Sequence, residues 1–310
     1  MLTIKDLRHI ELLSKSSSMA EAAARSGLTQ SAISQSLSGV EEKLGVQLFV
    51  RGRNSISITR FGEAFVTRAR RILNELDQLD FDIEALKNEH LGTIRFGIGP
   101  AVADLLLVEA LQEFATRHPG SIPRFRTSLW EDCKTLLLDG DIDLFIGGFP
   151  RDFKDQRFTL QPFYQDRLAA IVNGQHPLCQ RKRVEVADIV HYPVLAQDSR
   201  HIVLWRTLES ITDLELLRLN VPASVMANPM DALPVLNTTD HVLLCARANW
   251  LKVRESHPEL TELSTVDLRG AAHMYFVSLA GREPQPAQEA LTAAFGSVAQ
   301  DIFSKIGNPA

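Results

Sequence analysis

The apolar positions change period several times along the chain, and each change marks an element. From Ile4 to Lys15, Leu7, Ile10 and either Leu12 or Leu13 recur at helical spacing and predict a first helix. From Ser18 to Leu44 the run SMAEAAARSGLTQSAISQSLSGVEEKL predicts two helices joined by a tight turn. Ser18 and Glu21 have the spacing of a capping box. Ala22, Ala23 and Ala24 favour helix and are small enough for a second helix to approach closely. Gly27 ends the helix, because a left-handed residue costs glycine nothing. Leu28 reads as an apolar plug, and Thr29 as the cap of the next helix, in which Ile33, Leu37, Val40 and Leu44 face inward. The opposite face carries Gln30, Ser31, Ser34, Gln35 and Ser38, hydrogen-bonding side chains of the kind that meet base edges and phosphates in a major groove. Taken alone, this stretch equally fits a helical hairpin with a polar outer face.

Residues 45–87 tip the balance toward DNA. After Gly45, a helix stop, Val46, Leu48 and Val50 alternate, then Ile56 and Ile58, around Gly52-Arg53-Asn54. That predicts a hairpin with a basic tip over Val46 to Thr59. Beside a helix-turn-helix it is a wing, whose Arg51 and Arg53 reach backbone phosphates or the minor groove; otherwise they are solvated arginines on a turn. Thr59 caps a long helix running to about Lys87, a rod of about 40 Å. Its apolar residues Phe65, Ala69, Ile72, Leu76, Leu79, Ile83 and Leu86 step by four and three in turn, a heptad seam. The seam can pack on its own chain, but the regular period and the exterior of Glu75, Asp77, Asp80, Asp82 and Glu84 favour a dimer. Arg68, Arg70 and Arg71 are expected near the DNA end.

Past the hinge Asn88 to Gly92 the pattern becomes strand–helix alternation. Strands are predicted at Thr93–Ile98, Arg124–Leu129 and Leu144–Gly147, with helices at Val102–Arg117 and Glu131–Asp139. A second set comes next: Leu168–Val172, Val194–Ala196, a helix from Ile202, Ala223–Met226, a helix from Met230, and Val242–Cys245. A strand at His273–Ser278 and a helix from about Pro286 to Phe303 return to the first set. The fold class is therefore α/β in two lobes, behind an N-terminal all-α winged helix-turn-helix and a coiled-coil linker helix. The expected domains are 1–60, 61–91 and 92–310, the last split into a lobe of about 92–162 with 264–310 and a lobe of about 163–263. The end of a parallel strand beside a helix N-terminus is a natural ligand site. Here that place holds Pro100 and Ala101. Trp130, Phe149, His201 and Asn228 sit at comparable strand ends and helix starts, which suggests a partly aromatic pocket. Each of these residues singly fits ordinary packing as well.

Composition and charge narrow the function. At 310 residues, two or three domains are expected, and 45% hydrophobic with 23% charged residues fits a soluble globular protein. No run approaches a membrane span, and the charged start is unlike a secretory signal, so a cytoplasmic protein is expected. Cys133, Cys179 and Cys245 are far apart and without zinc spacing, which predicts incidental thiols, no metal and no cofactor. The net charge of −5 argues against nucleic acid, but residues 1–71 carry +5 and the remainder −10. A basic head on an acidic body is what one phosphate-touching end requires.

These features in register resemble the LysR-type transcriptional regulators. The resemblance is carried by Ala22-Ala23, Gln30, Ser34, Glu41, Leu44-Gly45, Leu48-Phe49, Arg51, Thr59 and Gly62, with His118-Pro119, Gly140, Ile142-Asp143 and His176-Pro177-Leu178 further on. It implies a winged helix-turn-helix, a dimerising linker helix and a two-lobed domain like periplasmic binding proteins, with a small-molecule effector between the lobes. The implied partners are double-stranded promoter DNA, the effector, a second copy as homodimer or homotetramer, and RNA polymerase. The chain departs from the family at Gln35, Ser36, Ser38 and Gly39, where a basic residue usually follows the serine, and at Ser26, usually leucine. It departs again at Leu236-Asn237-Thr238-Thr239-Asp240 and Ala246, where a glycine-rich segment and a proline are usual. An enzyme is the competing class, but no G-x-S-x-G, P-loop, G-x-G-x-x-G opening a helix or H-E-x-x-H is present. A plain solute-binding protein is opposed by the basic wing.

Overall fold

A computed structural model describes residues 1–52, 55–87, 90–149, 153–189, 191–197, 225–226, 229–263 and 271–307. The chain divides into two compact units, Met1–Thr93 with Thr135–Asp141, and Ile94–Lys134 with Ile142–Ala310.

In the first unit, α1 (Ile4–Ser14) opens with a full capping box, Thr3 accepting from the Asp6 N–H and Asp6 from the Thr3 N–H. Ser18 caps α2 (Met19–Ser26) by accepting from the Glu21 N–H. The return arm of this box is displaced by one residue: the Glu21 carboxylate accepts from the Ser17 N–H and hydroxyl. Gly27 ends α2 at φ 67°, and Thr29 caps α3 (Gln30–Leu44) by accepting from the Ala32 N–H. Ile10, Leu13, Ala22, Ile33, Leu37 and Val40 close into one core. Burying each larger side chain is worth about 1.5–3 kcal/mol. Two expectations fail here. Leu28 is 36% exposed, not a plug, and Leu44 is 39% exposed, not inward, because the last turn of α3 runs past the core that α1 and α2 close.

The wing consists of β1 (Phe49–Arg51) and β2 (Ile56–Ile58), paired antiparallel. Its alternation is not the expected one. Leu48 and Phe49, adjacent in sequence, are both buried, while Val50 is 54% exposed. The chain enters the wing through a bend held by Glu41, whose Oε1 accepts from the Leu48 and Phe49 N–H groups at 2.7 and 3.1 Å. Thr59 donates to the Leu48 carbonyl and accepts from the Gly62 N–H, which starts α4 (Arg60–Lys87). Gly62 is needed there: a Cβ would lie 2.2 Å from the Leu48 carbonyl oxygen. The seven-residue seam of α4 is not one surface. Ala69 packs with Leu73 and Leu7 of α1, with Phe65 half-buried beside them, and Val66 joins the core. Ile72, Leu79 and Ile83 are exposed, Leu76 is half-buried, and the side chain of Leu86 lies outside the described residues. A straight helix of 3.6 residues per turn drifts off a 3.5 repeat, so the early seam positions turn into the head and the later ones turn outward.

The second unit is built on one sheet. Its first half contains β3 (Thr93–Ile98) from Ile94 on, α5 (Pro100–Arg117), β4 (Ile122–Thr127), the start of α6 (Trp130–Asp139), whose remainder from Thr135 belongs to the first unit, and β5 (Leu144–Gly148). β3 and β5 are parallel, and Asp143 ties them by accepting from the Arg95 backbone N–H and guanidinium. β6 is a single strand, Phe158–Asn173, far longer than the expected Leu168–Val172. β7 (Val194–Gln197) runs parallel to β8 (Val225–Met226) and to β9 (Val242–Ala246). The first part of β6 pairs with β11 (Ala271–Leu279) and its second with β9 and β10 (Leu260–Glu262). Among the described residues the sheet has nine strands, in the order β4-β3-β5-β11-β6-β9-β7-β8 with β10 beside β6. A register shift between Met274 and Tyr275 falls opposite Pro162 to Tyr164, where a proline has no N–H to give the ladder. The expected helix from Ile202 lies outside the described residues, and the one from Met230 is a 3₁₀ turn, Pro229–Ala232, followed by one helical turn, Leu233–Leu236. As expected, β11 and the C-terminal helix Pro286–Ile306 return to the first half, where β11 pairs with β5. His176 is buried; its Nδ1 accepts from the Leu178 N–H and its Nε2 donates to the Asp240 carbonyl, so His176-Pro177-Leu178 is a structural turn.

Candidate nucleic-acid interface and effector pocket

α3 exposes Gln30, Ser31, Gln35 and Ser38, with Ser34 half-buried between them, because Ile33, Leu37 and Val40 occupy the inner face. Arg51 does not project freely from the wing. Its guanidinium lies along α3 and donates to Ser34 Oγ at 2.9 Å and Ser38 Oγ at 2.8 Å. Two of its five N–H donors are thereby used, and the residue is exposed. The fork brings a positive charge to the Gln30–Ser38 stretch of α3, which has no lysine or arginine of its own. Arg53 lies outside the described residues. The early arginines of α4 are partly engaged within the first unit: Arg70 meets Glu11 and Asp139, and Arg71 donates to the Leu138 carbonyl. Arg68 remains exposed. His9 pairs with Ser36 on a half-buried flank of α3 at 2.8 Å.

In the second unit, a pocket of about 370 Å³, counting its open mouth, lies at the start of α5. Pro100, Ala101 and Trp130 line it together with Ser128, Phe145 and Met274. Phe149 stands behind it, edge to face on Trp130 at 5.4 Å and on Phe153 at 4.7 Å. His201 and Asn228 lie outside the described residues. Ser128 was hidden by the expected strand running to Leu129; the strand stops at Thr127, and the freed serine turns its N–H to the Ile98 carbonyl. α5 begins at Gly99, which supplies no side-chain cap, with Pro100 in the first turn. Across the unit, Asn249 of the helix Arg247–Val253 is 4% exposed and donates to the Ala101 carbonyl at 2.9 Å. That helix is anchored by Asp166 of β6, fully buried, which accepts from the Ala248 and Arg167 N–H groups. Burial pushes the Asp166 carboxyl up to about 6, against the opposing pull of those N–H groups and of Arg247. The thiols of Cys133 and Cys245 are buried and that of Cys179 is exposed; all three are free, and burial raises each of them. Among the described residues no cluster suits a metal ion, and no helix is long and apolar enough to cross a membrane.

A capped helix-turn-helix with a wing, followed by a long helix and an α/β unit holding a pocket, defines a DNA-binding regulator with a ligand-binding domain. Residues 4–63 match the model of the bacterial regulatory helix-turn-helix protein, lysR family, and residues 87–300 that of the LysR substrate binding domain. The chain belongs to the LysR family of transcriptional regulators. It is similar to the SDS degradation transcriptional activation protein of Pseudomonas sp. (strain ATCC 19151), at 28% identity over 94% of each chain. It is also similar to the HTH-type transcriptional regulator YtlI of Bacillus subtilis (strain 168), at 30% identity over 61% of this chain and 60% of that one. The same fold occurs in full-length CbnR complexed with its target DNA, with a TM-score of 0.66 at 18% identity, covering 96% of this chain and 99% of that one.

Proposed function

We propose that this regulator binds promoter DNA by laying the Gln30 to Ser38 face of α3 in the major groove. Gln30, Ser34 and Gln35 read bases, with Ser31 a weaker contact, and Arg51, with Arg53 beside it in sequence, holds phosphates. The observation that carries this reading is the Arg51 fork on Ser34 and Ser38, which joins wing and recognition helix into one basic, hydrogen-bonding surface. Residues 1–60 form the DNA-binding domain and 61–91 the linker. The exposed Ile72, Leu79 and Ile83, with Leu76 and Leu86, are the dimer seam, since a row of large apolar side chains left in water favours a second copy. Residues 92–310 hold a small-molecule effector in the pocket at Pro100, Ala101 and Trp130. The protein works in the cytoplasm, contacts RNA polymerase and catalyses no reaction. The test is retardation of operator and scrambled duplexes at one fixed salt concentration. Gln35→Ala should lose about 1–3 kcal/mol of preference for the operator while keeping most non-specific affinity. Arg51→Ala should weaken both duplexes and reduce the salt slope by about one. Equal losses on both duplexes for Gln35→Ala would remove it from base readout.

A further inference from the structure

We infer that the Ser34 and Ser38 hydroxyls read keto bases, guanine or thymine, in preference to the amino bases adenine and cytosine, because Arg51 has already fixed both hydroxyls as hydrogen-bond donors. This rests on the reading of α3 as the recognition helix and adds the class of base that it takes. A serine hydroxyl carries one proton and two lone pairs, so an unengaged one can meet a donor or an acceptor. Here each hydroxyl accepts from the Arg51 guanidinium, at 2.9 and 2.8 Å, which occupies a lone pair and turns the proton away from the cation. The positive charge also repels a further N–H donor. Nor is the proton taken up by the helix itself. Ser26 gives its hydroxyl proton to the Ala22 and Ala23 carbonyls of α2. Among the described residues, the Ser34 and Ser38 hydroxyls bond to Arg51 alone.

The arrangement is set before DNA arrives. Ser34, Ser38 and Glu41 follow one another by four and three residues and form one stripe of α3. Glu41 fixes the entry to the wing at the Leu48 and Phe49 N–H groups. On the other strand the Ile56 N–H is given to the Ser17 carbonyl. Arg51 lies two residues beyond the first anchor and pairs with Ile56, so its backbone is held from both sides. Little is then left to order when the duplex binds. In the major groove guanine offers N7 and O6, and thymine O4, with no donor on either. Adenine sets an amino donor beside N7, and cytosine offers its amino group alone. Hydroxyl protons turned outward beside a cation match the first two. Ser38 is exposed, and Ser34 is half-buried beside the exposed Gln30 and Gln35.

The experiment is selection of bound duplexes from a random library by the full-length protein at one fixed salt concentration, followed by retardation of the selected duplex. The Ser34→Ala/Ser38→Ala double variant, which keeps good helix formers on α3, identifies the position the hydroxyls read. The parent should select guanine or thymine there. Exchanging that base for its amino counterpart, guanine for adenine or thymine for 5-methylcytosine, should weaken the parent about fivefold. The double variant should bind the two duplexes equally. Arg51→Lys keeps the charge without the planar fork; the hydroxyls can then turn, and selection at that position should broaden to both classes of base. An amino base at the serine-dependent position would overturn the donor assignment and leave α3 as the recognition helix. A double variant that selects the parent's sequence, or that weakens every duplex alike, would remove the hydroxyls from base readout, the second result assigning them to phosphates. An Arg51→Lys variant as selective as the parent would overturn the part given to Arg51. A parent that selects no sequence at all would sink the reading of α3 itself.

Discussion

α3 and α5 begin in opposite ways, and the difference separates the two kinds of recognition this chain performs. α3 starts at Thr29, whose side chain satisfies the Ala32 N–H, and Gln30 and Ser31 in its first turn are exposed. Gln30, Ser31 and Gln35 are exposed side chains that the proposed reading turns toward DNA. α5 starts at Gly99 with no side-chain cap, and Pro100 and Val102 in its first turn are buried. There the first side chains are apolar, and no side chain caps the open N–H groups. A third helix, Arg247–Val253, lies between these cases: its N-terminus is satisfied by a remote group, Asp166 of β6.

Removing the support of α3 should separate the two helices most severely. Leu37 is fully buried in the head, so Leu37→Ala should cost about 2–5 kcal/mol. Calorimetry of the full chain should show one transition lowered and another unchanged; both lowered together would mean that the head and the second unit do not unfold independently.

Asp166 comes next in size. Its folded value, about 6, is above the ordinary 3.8, so the native state holds the proton more strongly than the unfolded chain. The contribution to stability is therefore fullest at or below pH 4, is lost as pH rises to 6, and is flat above. Relative to Asp166→Asn, the parent should lose about 3 kcal/mol across that window, read from denaturant melts at each pH. Parallel pH profiles would show that the helix cap is not the titrating group.

Thr29→Ala should cost about 1 kcal/mol in head stability by uncovering the start of α3. A melt unchanged by this substitution would deny that α3 depends on its cap.

A milder change makes α5 resemble α3. Gly99 has an extended conformation open to any residue, and a Cβ there meets only ordinary contacts, the nearest at 3.5 Å. Gly99→Ser should supply the missing cap, adding a few tenths of a kcal/mol of stability, read from denaturant melts of the full chain. A melt lowered by this substitution would contradict the reading of α5 as a helix short of a cap.

Much of this contrast was legible in the residues. Ser18, Thr29 and Thr59 cap helices and Gly27 and Gly45 end them, because each acts within a few residues of itself. The polar face of α3, the uncapped Pro100 and Ala101, and the aromatic Trp130 and Phe149 were visible for the same reason. The first half of β6 was not, since Pro162 and its polar neighbours read as loop until β11 supplies the ladder that orders them.

The order of residues is thus enough to place the starts and stops of most helices, to mark the polar face of α3, and to point to a family. Folding had to add the rest: Arg51 lies on Ser34 and Ser38, Ala69 and Phe65 serve the head while Ile72, Leu79 and Ile83 face outward, and Asp166 caps a helix more than eighty residues away. Folding also brought Ser128 into the pocket. Caps, turns and periodicity are local, with energies set by neighbours along the chain. A guanidinium choosing between water and two hydroxyls, or a carboxylate held above its ordinary range by burial, answers to groups that only the folded chain brings within reach.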